Sequence, residues 1–134
     1  MDPQELAKVA LFSDLSEDDL RAIATYADEV SVSDGKHLVD EGGYAYDLFV
    51  IVDGTAQVLV GGEVVAELGP GDFFGEAGVL QKTERNATVV AKTRMHLVTL
   101  TGWDLRRMRK QLAPVLERLE QAIEERRPEP AGSN

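Results

Sequence analysis

From residue 29 to residue 100 the chain consists of short β-rich runs separated by turn residues, and this cadence limits its fold more than any other feature. The runs are Val30 and Val32, Leu38-Val39, Leu48 to Val52, Val58 to Val60, Val64-Val65, Val89-Val90 and Leu97-Val98. Between them stand Asp34-Gly35, Gly42-Gly43, Asp53-Gly54, Gly61-Gly62 and Gly69-Pro70-Gly71. Gly61-Gly62, between Val60 and Val64, predicts a hairpin, because the primed turns that match strand twist need positive φ. Short strands at turn intervals of roughly 8–12 residues predict an antiparallel sandwich or barrel.

Both flanks change period. Leu6, Val9, Ala10 and Leu11 form one short helical stripe. Ser16 stands three positions before Asp19, an arrangement similar to a capping box with Asp for the usual Glu or Gln. Leu20, Ile23, Ala24 and Ala27 follow at helical spacing and predict a helix over about 17–28. After Leu100, Thr101 can cap a helix carrying Trp103 to Leu112, with Trp103 read as a packing residue. Pro114 suits the first turn of a second helix, where its missing N–H costs little. Leu112, Leu116, Leu119 and Ile123 are spaced 4, 3, 4, a stripe read first as core-facing. The tail from Arg127 is polar and reads as disordered, which makes residues 1–127 one domain and 128–134 a tail. The expected order is helix, about eight strands, then two helices.

Charge and composition exclude several functions. The chain has 134 residues and no Cys, so it has no disulfide framework, thiolate metal site or cysteine nucleophile. It has two histidines, His37 and His96, too few for a cupin-type metal site. With no metal cluster and no triad of nucleophile, base and orienting acid, it is not expected to be an enzyme. The longest apolar run, Leu48 to Val52, falls far short of a membrane span, and the N-terminus lacks a secretory signal, so the expected compartment is cytoplasmic. The net charge of −10 opposes binding to nucleic acid or an anionic membrane. That charge is uneven: residues 1–103 carry 18 acids and 7 bases, residues 104–134 carry 6 acids and 7 bases. Arg106, Arg107, Arg109 and Lys110 account for most of the difference, and a solvated helix face is the first reading of that cluster.

One stretch, Gly71 to Leu80, does not fit a plain strand. The run from Glu76 to Leu80 can make a helical turn directly after Gly75, and free amides at such a turn suit a phosphate. Nine positions after Glu76 comes Arg85, whose planar fork of donors also suits phosphate. An ionised Glu accepts from a sugar hydroxyl. From spacing alone two readings stay open: a ribose-phosphate site, or an ion pair between Glu76 and Arg85.

The run Phe74-Gly75-Glu76-Ala77-Gly78-Val79-Leu80, continuing to Arg85-Asn86-Ala87, resembles the phosphate-binding cassette of cyclic nucleotide-binding domains. Its spacing matches the family pattern F-G-E-L-A-L-(L/I)-x-x-x-P-R-x-A without a gap. Gly35, Glu41-Gly42 and Leu48 to Gly54 are similar to the family's glycine ladder, and Leu11 to Ser16 to its entry into the first helix. The resemblance covers about residues 9–125. It implies an eight-stranded antiparallel β-roll, jelly-roll-like, with N-terminal helices, a short cassette helix and two C-terminal helices. It also implies a ligand-binding set of Gly75, Glu76, Ala77, Gly78, Arg85 and Asn86. In that set Glu76 takes the ribose 2′-hydroxyl, Arg85 takes the exocyclic phosphate oxygens, and Gly75 with the amides near Ala77 and Gly78 lines the phosphate. Asn86 reaches phosphate or base.

The chain departs from the pattern in Ala77 for Leu, Gly78 for Ala and Glu84 for Pro, among other positions. Glu84 places a second acid beside Arg85 and competes for its guanidinium. The implied ligand is cAMP, with cGMP the runner-up because Asn86 both donates and accepts. The implied function is a sensing module that passes ligand binding through its C-terminal helices to a protein partner, a homodimer or a missing output domain. Tyr44 and Tyr46 stand in a loop expected to border the pocket. The competing expectation is a degenerate domain of the same fold that binds no nucleotide and serves as an interaction or dimerisation scaffold.

Overall fold

The computed structural model describes residues 2–42, 47–75, 87–110 and 112–126, with the side chains of residues 122 and 123 excepted. The expected tail 128–134, Tyr44, Tyr46 and the stretch 76–86 lie outside them. The chain begins with helix α1 (Pro3–Leu6), capped by Asp2, whose Oδ1 accepts from the Gln4 amide at 2.8 Å. A 3-10 turn follows at Ala10–Phe12, so the predicted single stripe is split in two. Leu6, Val9, Leu11 and Phe12 are all buried nonetheless. Helix α2 (Glu17–Tyr26) starts where expected, with Ser16 Oγ accepting from the Asp19 amide. It ends two residues earlier than predicted, because Asp28 already pairs with Thr99 in the first strand.

Eight strands follow among the described residues: β1 (Asp28–Val32), β2 (His37–Val39), β3 (Asp47–Asp53), β4 (Ala56–Val60), β5 (Glu63–Leu68), β6 (Phe73–Phe74), β7 (Thr88–Ala91) and β8 (Met95–Thr101). They form two antiparallel four-stranded sheets with orders β1-β8-β3-β6 and β2-β7-β4-β5. Val60 pairs with Glu63 across Gly61 and Gly62, whose φ angles of 60° and 84° make the predicted two-residue hairpin turn. Seven of the eight strands fall on the apolar runs; β6 is the exception, two residues placed beside β3 by the turn before them.

The first sheet is covered on both faces. Ile51, Phe74, Met95 and Leu97 meet Val39, Ala56, Val89 and Ala91 of the second sheet. On the other side, Leu48, Val50, Val98 and Leu100 pack under the helices. A strand buried on both faces has no polar alternation, which explains the unbroken run Leu48 to Val52. The second sheet turns its outer face to solvent, and Val64 and Val65 of β5 are exposed there.

Helix α3 (Gly102–Arg107) is capped as predicted by Thr101, whose Oγ1 accepts from the Asp104 amide at 3.0 Å. It stops at Arg107, five residues short of the predicted end, and the chain turns through Met108. The turn lets Leu105 and Met108 share one core with Leu112, Val115 and Leu119. Helix α4 (Ala113–Arg126) carries Pro114 in its first turn, as expected. Leu112 and Leu119 are buried and Leu116 packs against the same cluster, which places that part of the stripe on the core; Ile123 lies outside the described side chains. Trp103 corrects an expectation. Helix α3 buries Gly102 and Leu105, and Trp103 falls on the opposite face, 65% exposed rather than packed.

Candidate functional site

Of the six residues singled out for ligand binding, Gly75 is described; Glu76, Ala77, Gly78, Arg85 and Asn86 lie outside the described residues. The structure shows how the two ends of that segment are held. The leading end is a latched turn. The Gly69 amide donates to Asp72 Oδ2 at 2.8 Å, and the Asp72 amide donates to the Gly69 carbonyl at 3.0 Å. The turn is tied to β3 by two further bonds of 2.8 Å, from the Gly71 amide to the Ile51 carbonyl and from the Ile51 amide to the Asp72 carbonyl. Phe74 then pairs with Phe49, and their rings stack with centroids 4.8 Å apart and planes 5° from parallel. This rigid lead-in ends at Gly75, half-buried with a φ of 89°, a left-handed turn that a side chain disfavours.

The trailing end rests on the other sheet. Strand β7 is held on both sides, by β2 and by β4, and buries Val89 and Ala91. Thr88 opens it, and its Oγ1 accepts from the Glu41 amide at 3.0 Å. The Glu41 carboxylate in turn accepts from the Gly61 amide at 3.0 Å. One residue therefore joins the β4–β5 hairpin to the start of β7. Sequence reasoning placed Glu41 in the glycine ladder without a role; the signal present was its position directly before Gly42. The segment between Gly75 and Ala87 thus runs from an edge strand of one sheet to an inner strand of the other. Both ends are fixed by backbone hydrogen bonds, the kind of support that a backbone cradle for an anion requires.

The remaining candidates are placed apart from each other. His37 Nδ1 lies 2.7 Å from Asp40 Oδ1 on β2, in the second sheet. His96 on β8, in the first sheet, lies 3.3 Å from Ser31 Oγ and 3.5 Å from a Glu29 carboxylate oxygen. Among the described residues no three His, Cys, Asp or Glu side chains gather as a metal site. No described helix is long and apolar enough to cross a membrane.

Two facing four-stranded antiparallel sheets with helices packed on one of them define a helix-flanked β-roll. The chain belongs to the cyclic nucleotide-binding domain family, whose description matches residues 29–111. A cAMP-dependent protein kinase regulatory subunit of Schizosaccharomyces pombe is 37% identical over 95 residues, covering 70% of this chain and 23% of that protein. A protein named as a potassium channel of Rhodopseudomonas palustris is 32% identical over 124 residues, covering 90% of this chain and 30% of that protein. A solved structure described as Sp-2Cl-cAMPS bound to PKAR CBD2 superposes with a TM-score of 0.81 at 25% identity, covering 92% of this chain and 82% of that chain. The chain spans under a third of each of the two curated relatives.

Proposed function

We propose that this domain binds a cyclic nucleotide, cAMP in preference to cGMP, on the segment from Gly75 to Asn86 and passes the binding event to its C-terminal helices. The observation that carries the reading is that the family match, residues 29–111, spans this segment; the sequence resemblance, in which Gly75-Glu76 and Arg85 stand at the family spacing, supports it. The anchored flanks on β6 and β7 support it. In this reading Arg85 forks the cyclic phosphate, Glu76 accepts from the 2′-hydroxyl, and the amides at Gly75, Ala77 and Gly78 surround the phosphate. Asn86 contacts phosphate or base. In a domain of net charge −10, an anionic ligand depends on that local site against the overall field.

Calorimetry on protein stripped of nucleotide tests the reading, with cAMP and cGMP as titrants. Arg85→Ala removes a charge-assisted pair, so cAMP should bind roughly 10- to 150-fold more weakly. Glu76→Gln keeps the shape and one acceptor oxygen, and should cost about 1–2 kcal/mol for cAMP. The same change should leave a 2′-deoxy cyclic nucleotide almost unaffected, because that ligand has no hydroxyl to donate. Equal cAMP binding by folded Arg85→Ala, or equal losses for the two ligands in Glu76→Gln, would refute the residue assignment. No heat from either nucleotide would instead favour the interaction scaffold. Tighter cGMP binding that disappears in Asn86→Ala would reverse the base preference.

A further inference from the structure

Helix α3 presents an exposed aromatic and basic face. Trp103, Arg106 and Arg107 stand at helical i, i+3, i+4 spacing, so they share one face, and Leu105 and Met108 are buried behind it. The Arg106 guanidinium carbon sits 5.7 Å from the centre of the Trp103 ring. The Arg107 guanidinium carbon sits 5.1 Å from the centre of the Tyr26 ring, which carries the face across to the end of α2. Tyr26 is 40% exposed. Arg109 and Lys110 extend the positive charge, and both are exposed. Among the described residues, none of these four bases forms an ion pair. The neighbouring acid, Asp104, is taken up in the helix cap, where its carboxylate accepts from the Thr101 hydroxyl at 2.9 Å.

A guanidinium over a ring is attracted to the ring face while its N–H donors stay available, so each Arg offers a fork for a carboxylate. We infer that this aromatic-basic face docks an acidic segment of a partner protein, its carboxylates on Arg106 and Arg107 and its apolar atoms on Trp103. Charge selects the occupant. The domain carries −10 overall, so an extended polyanion or an anionic membrane brings its charge against the acidic remainder of the surface. A second copy brings another −10. A short acidic segment touches only the positive face. This inference is independent of nucleotide binding.

Trp103 is the sole tryptophan of the chain, so its emission reports on this face alone. The full chain is titrated at physiological ionic strength with a short Asp/Glu-rich peptide and with its Asn/Gln counterpart. The acidic peptide should shift Trp103 emission saturably, and the amide peptide should not. The double change Arg106→Gln/Arg107→Gln should weaken the acidic peptide by at least about tenfold. Arg106→Lys/Arg107→Lys, which keeps the charge and removes the fork, should fall between wild type and the Gln variant. Lys36→Gln, an exposed base elsewhere, should leave binding unchanged. The inference is overturned if the acidic peptide causes no shift or if both peptides bind equally. It is equally overturned if the double Gln variant binds like wild type, if phosphatidylserine vesicles shift the emission where the peptide does not, or if sedimentation shows a dimer that buries Trp103 without peptide.

Discussion

At Gly54 the φ is 90°, and a Cβ there would sit 2.4 Å from the Arg94 carbonyl oxygen and 2.8 Å from Met95 Cγ. Gly61 also has a positive φ, 60°, but a Cβ there meets nothing within 4 Å. The two glycines look alike in sequence, each at a strand end, yet they answer different demands. Gly54→Ala combines overpacking with a strained backbone and should lose about 2–5 kcal/mol. Gly61→Ala meets the backbone demand alone and should lose about 1 kcal/mol. Urea unfolding of both variants checks the contrast; equal midpoints would mean that the β8 backbone yields to the added methyl. Trp103 makes a related point. Its size suggests core, but its neighbours Gly102 and Leu105 set the buried face of α3 and leave it outside. Glu41 shows that a side chain in a turn can tie a hairpin to a distant strand, a pairing between residues 41, 61 and 88 that no local pattern announces.

At the scale of elements, the C-terminal helices are joined to both the sheet and the N-terminal turn. Leu112, Val115 and Leu119 share one cluster with Leu48, Val98 and Phe12. Arg118 donates to the Ala10 carbonyl and to Asp14. Leu119 is fully buried, so Leu119→Ala should cost about 2–5 kcal/mol, read as a drop in the denaturation midpoint. Loss of under about 1 kcal/mol would show that α4 docks loosely. If ligand binding is transmitted through α3 and α4, amide exchange along residues 101–126 should change when cAMP is added, because a ligand shifts a conformation only by binding its two states unequally. Unchanged exchange there with the site filled would separate binding from signalling.

For the whole molecule, a ligand that binds only the folded state stabilises it by mass action. At about a hundred times its Kd, cAMP should add about 2.7 kcal/mol and raise the unfolding midpoint by roughly 5–15 °C. Arg85→Ala at the same concentration should show a much smaller rise; an equal rise would place the nucleotide elsewhere. The order of elements and most strand positions were legible in the sequence, because turn glycines, caps at Ser16 and Thr101, and apolar period are local properties of a few adjacent residues. The Gly-Glu and Arg spacing that marks the candidate site is also a linear property. The assignment of strands to two sheets was not legible, since pairing β1 with β8 joins residues 28 and 99 and depends on which faces can be buried together. The same holds for β6, too short to carry a period, and for the end of α3, where the core shared by Leu105 and Leu112 overrides continued helix. Local chemistry determined the elements and the candidate motif; long-range burial alone decided which faces close, and so which side chains, Trp103 and its arginines among them, remain exposed.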